Sequence, residues 1–87
     1  MPRIILSPDA KIEFARLDNS DKLAFAAHFR KFETLPPRRH LRAGLPYFVE
    51  NSGQGRIVCK IDGDTVLVYR IFRTHKEYDK WLRKTSE

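Results

Sequence analysis

The sequence is poor in cysteine: Cys59 is the single one among 87 residues. An internal disulfide and a zinc site built on several thiolates are therefore excluded. Cys59 lies inside a strand-like run, between Val58 and Lys60, so we expect it to be a small core residue rather than a nucleophile. The three histidines are far apart in the sequence and show no metal-ligand spacing. We predict no metal and no other cofactor.

Long apolar runs are also missing. No stretch approaches the length that crosses a bilayer, and the N-terminus MPRIILSPDA lacks the architecture of a signal peptide. We therefore expect a cytoplasmic protein without a membrane partner. A chain of 87 residues makes one small domain, which we predict to span residues 1–87.

Acidic side chains are scarce relative to basic ones. The chain has 11 Asp and Glu against 17 Lys and Arg, which gives a formal net charge of +6. This excess favours nucleic acid, an anionic surface or an acidic protein as partner, although a merely soluble basic surface fits the charge equally well. With 41% hydrophobic residues the chain is predicted to be globular and not disordered.

The N-terminal half predicts a strand followed by two helices. Residues 3–6 are a short apolar run, after which Ser7 is placed to cap a helix and Pro8 to occupy its first position. Asn19 or Ser20 is predicted to cap a second helix that runs to about Thr34, before Pro36-Pro37. Its apolar stripe is predicted to consist of Leu23, Phe25, Ala26, Phe29 and Phe32.

The C-terminal half predicts a hairpin and a final helix. Two strand-like runs, residues 56–61 and 65–72, flank the turn signal Asp62-Gly63. Thr74 and Glu77 have capping-box spacing, so a helix should begin at His75. Before the hairpin, residues 38–45 are interpreted as a basic loop and residues 47–49 as a strand. The order β-α-α-β-β-β-α predicts an α+β fold, with the two N-terminal helices on one face of a four-stranded, mainly antiparallel sheet and a short C-terminal helix.

Alternation along the hairpin assigns its side chains to two faces. The face under the helices is predicted to hold Ile57, Cys59, Ile61, Val66, Val68 and Phe72, together with Arg70, which has no evident partner there. The other face is predicted to hold Arg56, Val58, Lys60, Leu67, Tyr69, Ile71 and Arg73. Basic groups that alternate with an aromatic ring can bind a nucleic-acid strand by charge and stacking.

Basic and titratable side chains concentrate where the last strand is predicted to end and the last helix to begin. Arg73, His75, Lys76 and Tyr78 lie within six residues. Free backbone N–H groups at a helix start already favour an anion. We predict that Arg56, Arg73 and Lys76 surround a phosphate-sized anion. The nucleic-acid-binding track is predicted to continue over Lys60, Arg39 and Arg42.

The order of these segments resembles that of the RelE/ParE superfamily of bacterial and archaeal toxins. The likeness is carried by SPDA after a short strand, by LPP at the end of the helices, by LRAG, by the hairpin GQGRIVCKIDGD and by RTHKEYDKW. The last segment is similar to the HigB branch. The resemblance implies a twisted antiparallel sheet with two helices packed on one side, and a cognate antitoxin protein as partner. It also implies cleavage of messenger RNA on the 70S ribosome without a metal, or, in the ParE branch, inhibition of DNA gyrase without nuclease activity.

The resemblance also implies roles for single residues. Arg56 matches the arginine that contacts the scissile phosphate, and His75 matches the histidine or arginine just after the last strand. Tyr78 is the nearest match to a C-terminal tyrosine, although Trp81 lies closer to the usual spacing, and Tyr78 could equally be a packing residue. Attack of a ribose 2′-OH on the adjacent phosphodiester needs a base, an acid and cations, which His75, Tyr78, Arg56 and Arg73 can supply. The predicted activity is that of an endoribonuclease; the alternatives are a gyrase-binding toxin and a nucleic-acid-binding module without chemistry.

Overall fold

A computed structural model describes residues 3–35, 39–40 and 47–86 of the chain. The side chains of residues 39, 40 and 86 lie outside this description, so of Arg39 the backbone alone is described, and Arg42 is outside it altogether. The elements are β1 (Arg3–Leu6), α1 (Pro8–Ala15), α2 (Asn19–Lys31), β2 (Arg39–His40), β3 (Phe48–Ser52), β4 (Gly55–Asp62), β5 (Thr65–Phe72) and α3 (His75–Ser86). The predicted α+β class is confirmed.

The strands form one mixed sheet in the order β1-β5-β4-β3-β2. β1 runs parallel to β5 at one edge, and the other neighbours are antiparallel. Over the residues that the structure describes, the sheet therefore has five strands where the sequence predicted four. The additional strand is β2, two residues long, in the segment that was interpreted as a loop.

Side-chain caps fix where the N-terminal helices start. The Ser7 hydroxyl accepts a hydrogen bond from the Ala10 N–H, as predicted for the cap of α1. The cap of α2 is Asp18, whose carboxylate accepts from the Asp21 N–H at 2.8 Å. The prediction of Asn19 or Ser20 was thus off by one or two positions, because any of these three side chains can cap a helix.

The last helix begins at His75, as predicted. The Thr74 hydroxyl accepts a hydrogen bond from the Glu77 N–H at 3.3 Å. The second helix is shorter than predicted, because α2 ends at Lys31 and Phe32 forms its C-terminal cap.

The larger hydrophobic core lies between the sheet and the first two helices. Its buried members are Ala10, Leu17, Phe25, Phe32, Ile57, Cys59, Val66, Val68 and Ile71. Leu23 was predicted to belong to the packing stripe of α2, but it is 70% exposed. Gly55 is required at its position, because a Cβ there would stand 2.5 Å from a ring carbon of Phe25.

A second core lies on the opposite face of the sheet, under α3. Val49, Val58 and Phe72 are buried there against partly buried side chains that include Tyr78, Trp81 and Leu82. Helices therefore cover both faces, whereas the sequence predicted helices on one face and a nucleic-acid-binding surface on the other. Val58, predicted to lie on the open nucleic-acid-binding face, is fully buried.

A β-bulge explains why the predicted faces fail at the end of β5. Val58 pairs with Arg70 while Cys59 pairs with Val68, so Tyr69 is the extra residue on β5. The alternation shifts by one from this point. Ile71 joins the core under α1 and α2, and Phe72 joins the core under α3, which reverses their predicted positions.

The hairpin turn lies one residue later than predicted. Asp62 pairs with Thr65, so the two turn residues are Gly63 and Asp64. Gly63 has φ +57°, a left-handed conformation that favours glycine. None of the helices that the structure describes is long and apolar enough to cross a membrane.

Candidate functional site

The junction of β5 and α3 exposes the basic side chains that the sequence singled out. Arg73 follows β5, His75 is the first residue of α3, and Lys76 is the second. All three are solvent-exposed. Since α3 starts here, its first backbone N–H groups also face away from the helix, which adds partial positive charge to this end of the sheet.

Arg56 lies beside this junction on the face that α3 covers. It pairs with Phe72 across β4 and β5, and directly opposed residues of antiparallel strands share a face. The Arg56 guanidinium donates from Nη1 to the carbonyl oxygens of Gly53 and Gly55, at 3.1 and 2.8 Å. The register therefore brings Arg56 next to the strand end that carries Arg73, and the turn holds its side chain in place.

Tyr78 and Trp81 both contact Phe72. The ring centroids of Tyr78 and Phe72 are 6.0 Å apart with an interplanar angle of 63°, and those of Trp81 and Phe72 are 5.5 Å apart. Tyr78 also lies 6.4 Å from Trp81. Both aromatic residues are thus packing residues of α3, and Tyr78 is half-buried beside the strand residue that pairs with Arg56.

Lys60 lies near the other end of β4, over a pair of stacked tyrosines. The Tyr47 and Tyr69 rings are 5.0 Å apart at an interplanar angle of 16°, and Lys60 Nζ stands 5.1 and 5.3 Å from their centroids. Burial and a hydrogen bond with Tyr69 raise the pKa of Tyr47. Lys60 lies four positions after Arg56 on the same strand, which corresponds to a distance of about 13 Å. The basic track predicted along this face therefore has a cation at each end of β4, with the α3 core between them.

Cys59 is fully buried in the core under α1 and α2, as predicted. Burial, with a smaller contribution from the charge of Glu50, raises the pKa of its thiol to about 12. A thiol that holds its proton so tightly is not a nucleophile at neutral pH. Within the described part of the chain, no three His, Cys, Asp or Glu side chains are arranged to hold a metal ion.

Two further residues near the junction were missed by sequence reasoning. The carboxylate of Glu13, on α1, accepts hydrogen bonds from Arg70, and Arg16 lines a cleft of about 450 Å³ together with Arg73. The available signal was Arg70, a charged side chain in an apolar alternation, which required a partner.

Comparison with solved structures assigns the fold. The isolated RelE toxin of E. coli matches with a TM-score of 0.75 at 13% identity, over 98% of this chain and 99% of that one. This chain has the RelE fold. A chain of the intact E. coli RelBE toxin–antitoxin complex matches with a TM-score of 0.72 at 14% identity, over 85% of this chain and 98% of that one.

The RelE fold also occurs in a match from Mycobacterium tuberculosis. A chain of the RelBE2 toxin–antitoxin complex of this organism matches the present chain with a TM-score of 0.68 at 16% identity, over 83% of this chain and 98% of that one. No protein-family model matches the sequence, and no curated protein does either. The similarity is therefore one of fold. The roles of single side chains in this chain have to be argued from their own positions and chemistry.

Proposed function

We propose that this protein is the toxin of a type II toxin–antitoxin system, a metal-independent endoribonuclease that cleaves messenger RNA on the ribosome. The observation that carries this proposal is the exposed pair Arg73 and His75 at the β5–α3 junction, which follows directly after Phe72, the strand partner of Arg56. A binding module needs cations alone. A nuclease also needs a group that can act as general base or general acid, and the imidazole of His75 is the group at this junction that we propose for it.

The proposed reaction uses the RNA as its own nucleophile. The ribose 2′-oxygen attacks the adjacent phosphorus, the bond from phosphorus to the 5′-oxygen breaks, and the products are a 2′,3′-cyclic phosphate and a 5′-hydroxyl end. His75 removes the 2′ proton or protonates the leaving oxygen. Arg56 and Arg73 stabilise the negative charge that builds on the phosphoryl oxygens. The ring of Tyr78 contacts Phe72 and Trp81, and we assign the other of these two proton transfers to its hydroxyl.

A cognate antitoxin is the proposed protein partner, and the cytoplasm the proposed compartment. Solved complexes of RelE-fold toxins with antitoxins support the partner by analogy of fold. The net charge of +6 supports a partner with acidic segments. A small open reading frame next to the gene for this protein is the expected source of the antitoxin.

Mapping of messenger-RNA ends tests the function. Purified protein is added to translating ribosomes, and new 5′ ends are mapped against a reaction without protein. We expect cuts on ribosome-bound messages at a rate that does not change when a transition-metal chelator that spares magnesium is added, because the ribosomes themselves need magnesium. Arg56→Ala should reduce both RNA binding and cleavage, because a cation on the scissile phosphate acts in the ground state and in the transition state. If no new ends appear and DNA gyrase is inhibited instead, the gyrase-binding function replaces this one.

A further inference from the structure

A cleft opens between the C-terminal end of α1 and the first turn of α3, around the edge of β5. Its volume is about 450 Å³, within the range of about 300–1,000 Å³ of small-ligand pockets. Three core side chains contribute to its lining: Leu17, Ile71 and Phe72. Five charged side chains complete the lining: Glu13, Arg16, Arg70, Arg73 and Glu77. The cleft thus has a small apolar floor, formed by the edges of these core side chains, with charged groups around it.

The charges of the cleft divide into a paired set and an unpaired set. Glu13 neutralises Arg70 by hydrogen bonds of 2.8 and 2.6 Å. Arg16 and Arg73 form no ion pair with any residue that the structure describes. The cleft therefore offers two uncommitted cations to an anion.

Glu77 is the third uncommitted charge. Its backbone N–H is bound to the Thr74 hydroxyl, but its carboxylate makes no hydrogen bond or ion pair within the described residues. In a complete capping box this carboxylate would bind back to the cap residue. Here it is free to accept a hydrogen bond inside the cleft, so the cleft has an acceptor as well as two cations.

We propose that this cleft holds the nucleotide next to the scissile phosphate, and that it selects a base with an exocyclic amino group. Arg16 and Arg73 bind phosphate oxygens, Glu77 accepts a hydrogen bond from the amino group, and the base lies against the apolar lining. Cytosine presents such an amino donor where uracil presents an acceptor, which a carboxylate repels. The proposal rests on the RNA-cleaving function, because Arg73 belongs both to the cleft and to the proposed reaction centre.

Binding to oligonucleotides that lack the attacking hydroxyl tests the cleft separately from cleavage. Fluorescence anisotropy is measured with labelled oligo-deoxycytidine and oligo-deoxyuridine hexamers. We expect the native protein to bind the cytidine hexamer about fivefold more tightly, the lower end of the discrimination that base contacts give. Glu77→Gln and Glu77→Ala should bring the ratio close to one, and circular dichroism checks that α3 is retained. Arg16→Ala should weaken binding of both hexamers several-fold. Arg30→Ala, an exposed arginine outside the cleft lining, is the matched control and should have little effect.

The outcomes separate the two proposals. Two results together would overturn the cleft proposal, whatever the cleavage assay shows. Arg16→Ala and Arg30→Ala would lower the affinity for the hexamers equally, and the Glu77 variants would keep the native ratio of cytidine-hexamer to uridine-hexamer affinity. If the NMR Nε–H signals of Arg16 and Arg73 respond to an oligoglutamate peptide and not to the hexamers, the cleft is a protein-docking site and the proposal also fails. Selective hexamer binding without messenger-RNA cleavage would support the cleft and count against the nuclease function.

Discussion

The carboxylate of Glu13 joins helix α1 to strand β5 by binding Arg70. One oxygen, Oε2, accepts from Arg70 Nε at 2.8 Å and from Nη2 at 2.6 Å, and the other, Oε1, accepts from the Ile71 N–H at 2.9 Å. β1 ends at Leu6, so the edge of β5 beyond it would otherwise leave backbone groups unpaired. Ser7 and Glu13 form hydrogen bonds with backbone groups of this edge instead. The Ser7 hydroxyl donates to the carbonyl of Tyr69 at 2.6 Å, and Glu13 accepts from the Ile71 N–H as described above.

Glu13→Ala should lower the free energy of unfolding by about 1–3 kcal/mol, because it leaves the Ile71 N–H and the half-buried Arg70 without an acceptor. Urea unfolding measures the change. Glu33→Ala is the control, because Glu33 forms no ion pair with the residues that the structure describes, and it should lower the free energy of unfolding much less. In a double-mutant cycle with Arg70→Met, independent effects of the two changes would show that the pair does not stabilise the fold.

Alkaline pH should weaken the fold through Cys59. Burial raises the pKa of its thiol from 9.0 to about 12, so the unfolded chain releases this proton at a lower pH than the folded chain does. The stability contributed by the neutral thiol is fully present below about pH 9 and decreases by about 1.4 kcal/mol per pH unit as the pH rises toward 12. Urea unfolding at a series of pH values measures the slope. Cys59→Ala should show a shallower slope over the same range, and parallel curves for the two proteins would contradict the assignment.

Local sequence signals predicted the elements that short-range chemistry determines. Ser7 and Thr74 cap the helices that their spacing indicated, and the hairpin of β4 and β5 follows its turn signal to within one residue. These features depend on neighbours in the sequence. The junction that exposes Arg73 and His75 could therefore be placed without a structure.

Long-range pairing determines what the sequence did not predict. The bulge at Tyr69 depends on how β5 pairs with β4, and it exchanges the faces of Ile71 and Phe72. The contact of Glu13 with Arg70 joins residues 57 positions apart. The cleft beside Arg16 depends on the bulge and on the contact of Glu13 with Arg70. A short sequence segment contains neither, so the cleft could not be predicted from the sequence.

Lys60→Ala should weaken RNA binding and reduce its salt dependence. One phosphate contact fewer lowers the slope of log affinity against log salt concentration by about 0.7 on a single strand. Fluorescence anisotropy on a labelled single-stranded RNA over a range of salt concentrations measures the slope. Lys11→Ala removes an exposed lysine of α1 and serves as the control. Equal slopes for native protein and Lys60→Ala would mean that Lys60 serves only to pack against Tyr47 and Tyr69.

His75→Ala should lower the rate of messenger-RNA cleavage by about 10²–10⁴-fold, because a positioned acid–base group contributes on this scale. Binding to RNA should change little, since one exposed imidazole adds little to a contact with several phosphates. His28→Ala is the control: His28 binds Glu50 at 3.1 Å between α2 and β3 and lies outside the junction. If His75→Ala cleaves as fast as the native protein, His75 is not the general acid or base, and gyrase becomes the favoured target.

Tyr78→Phe separates the chemical role of Tyr78 from its packing role. The substitution keeps the ring that contacts Phe72 and Trp81 and removes the hydroxyl alone. We expect cleavage to fall by about 10²-fold, the low end of acid–base contributions, and the urea midpoint measured alongside reports how much stability the hydroxyl contributes. Trp81→Phe is the matched variant, which trims a packing ring of the same helix and should lower the urea midpoint without a comparable loss of cleavage. If Tyr78→Phe cleaves as fast as the native protein, Tyr78 belongs to the α3 core alone, and the reaction then depends on His75 and the two arginines at the junction.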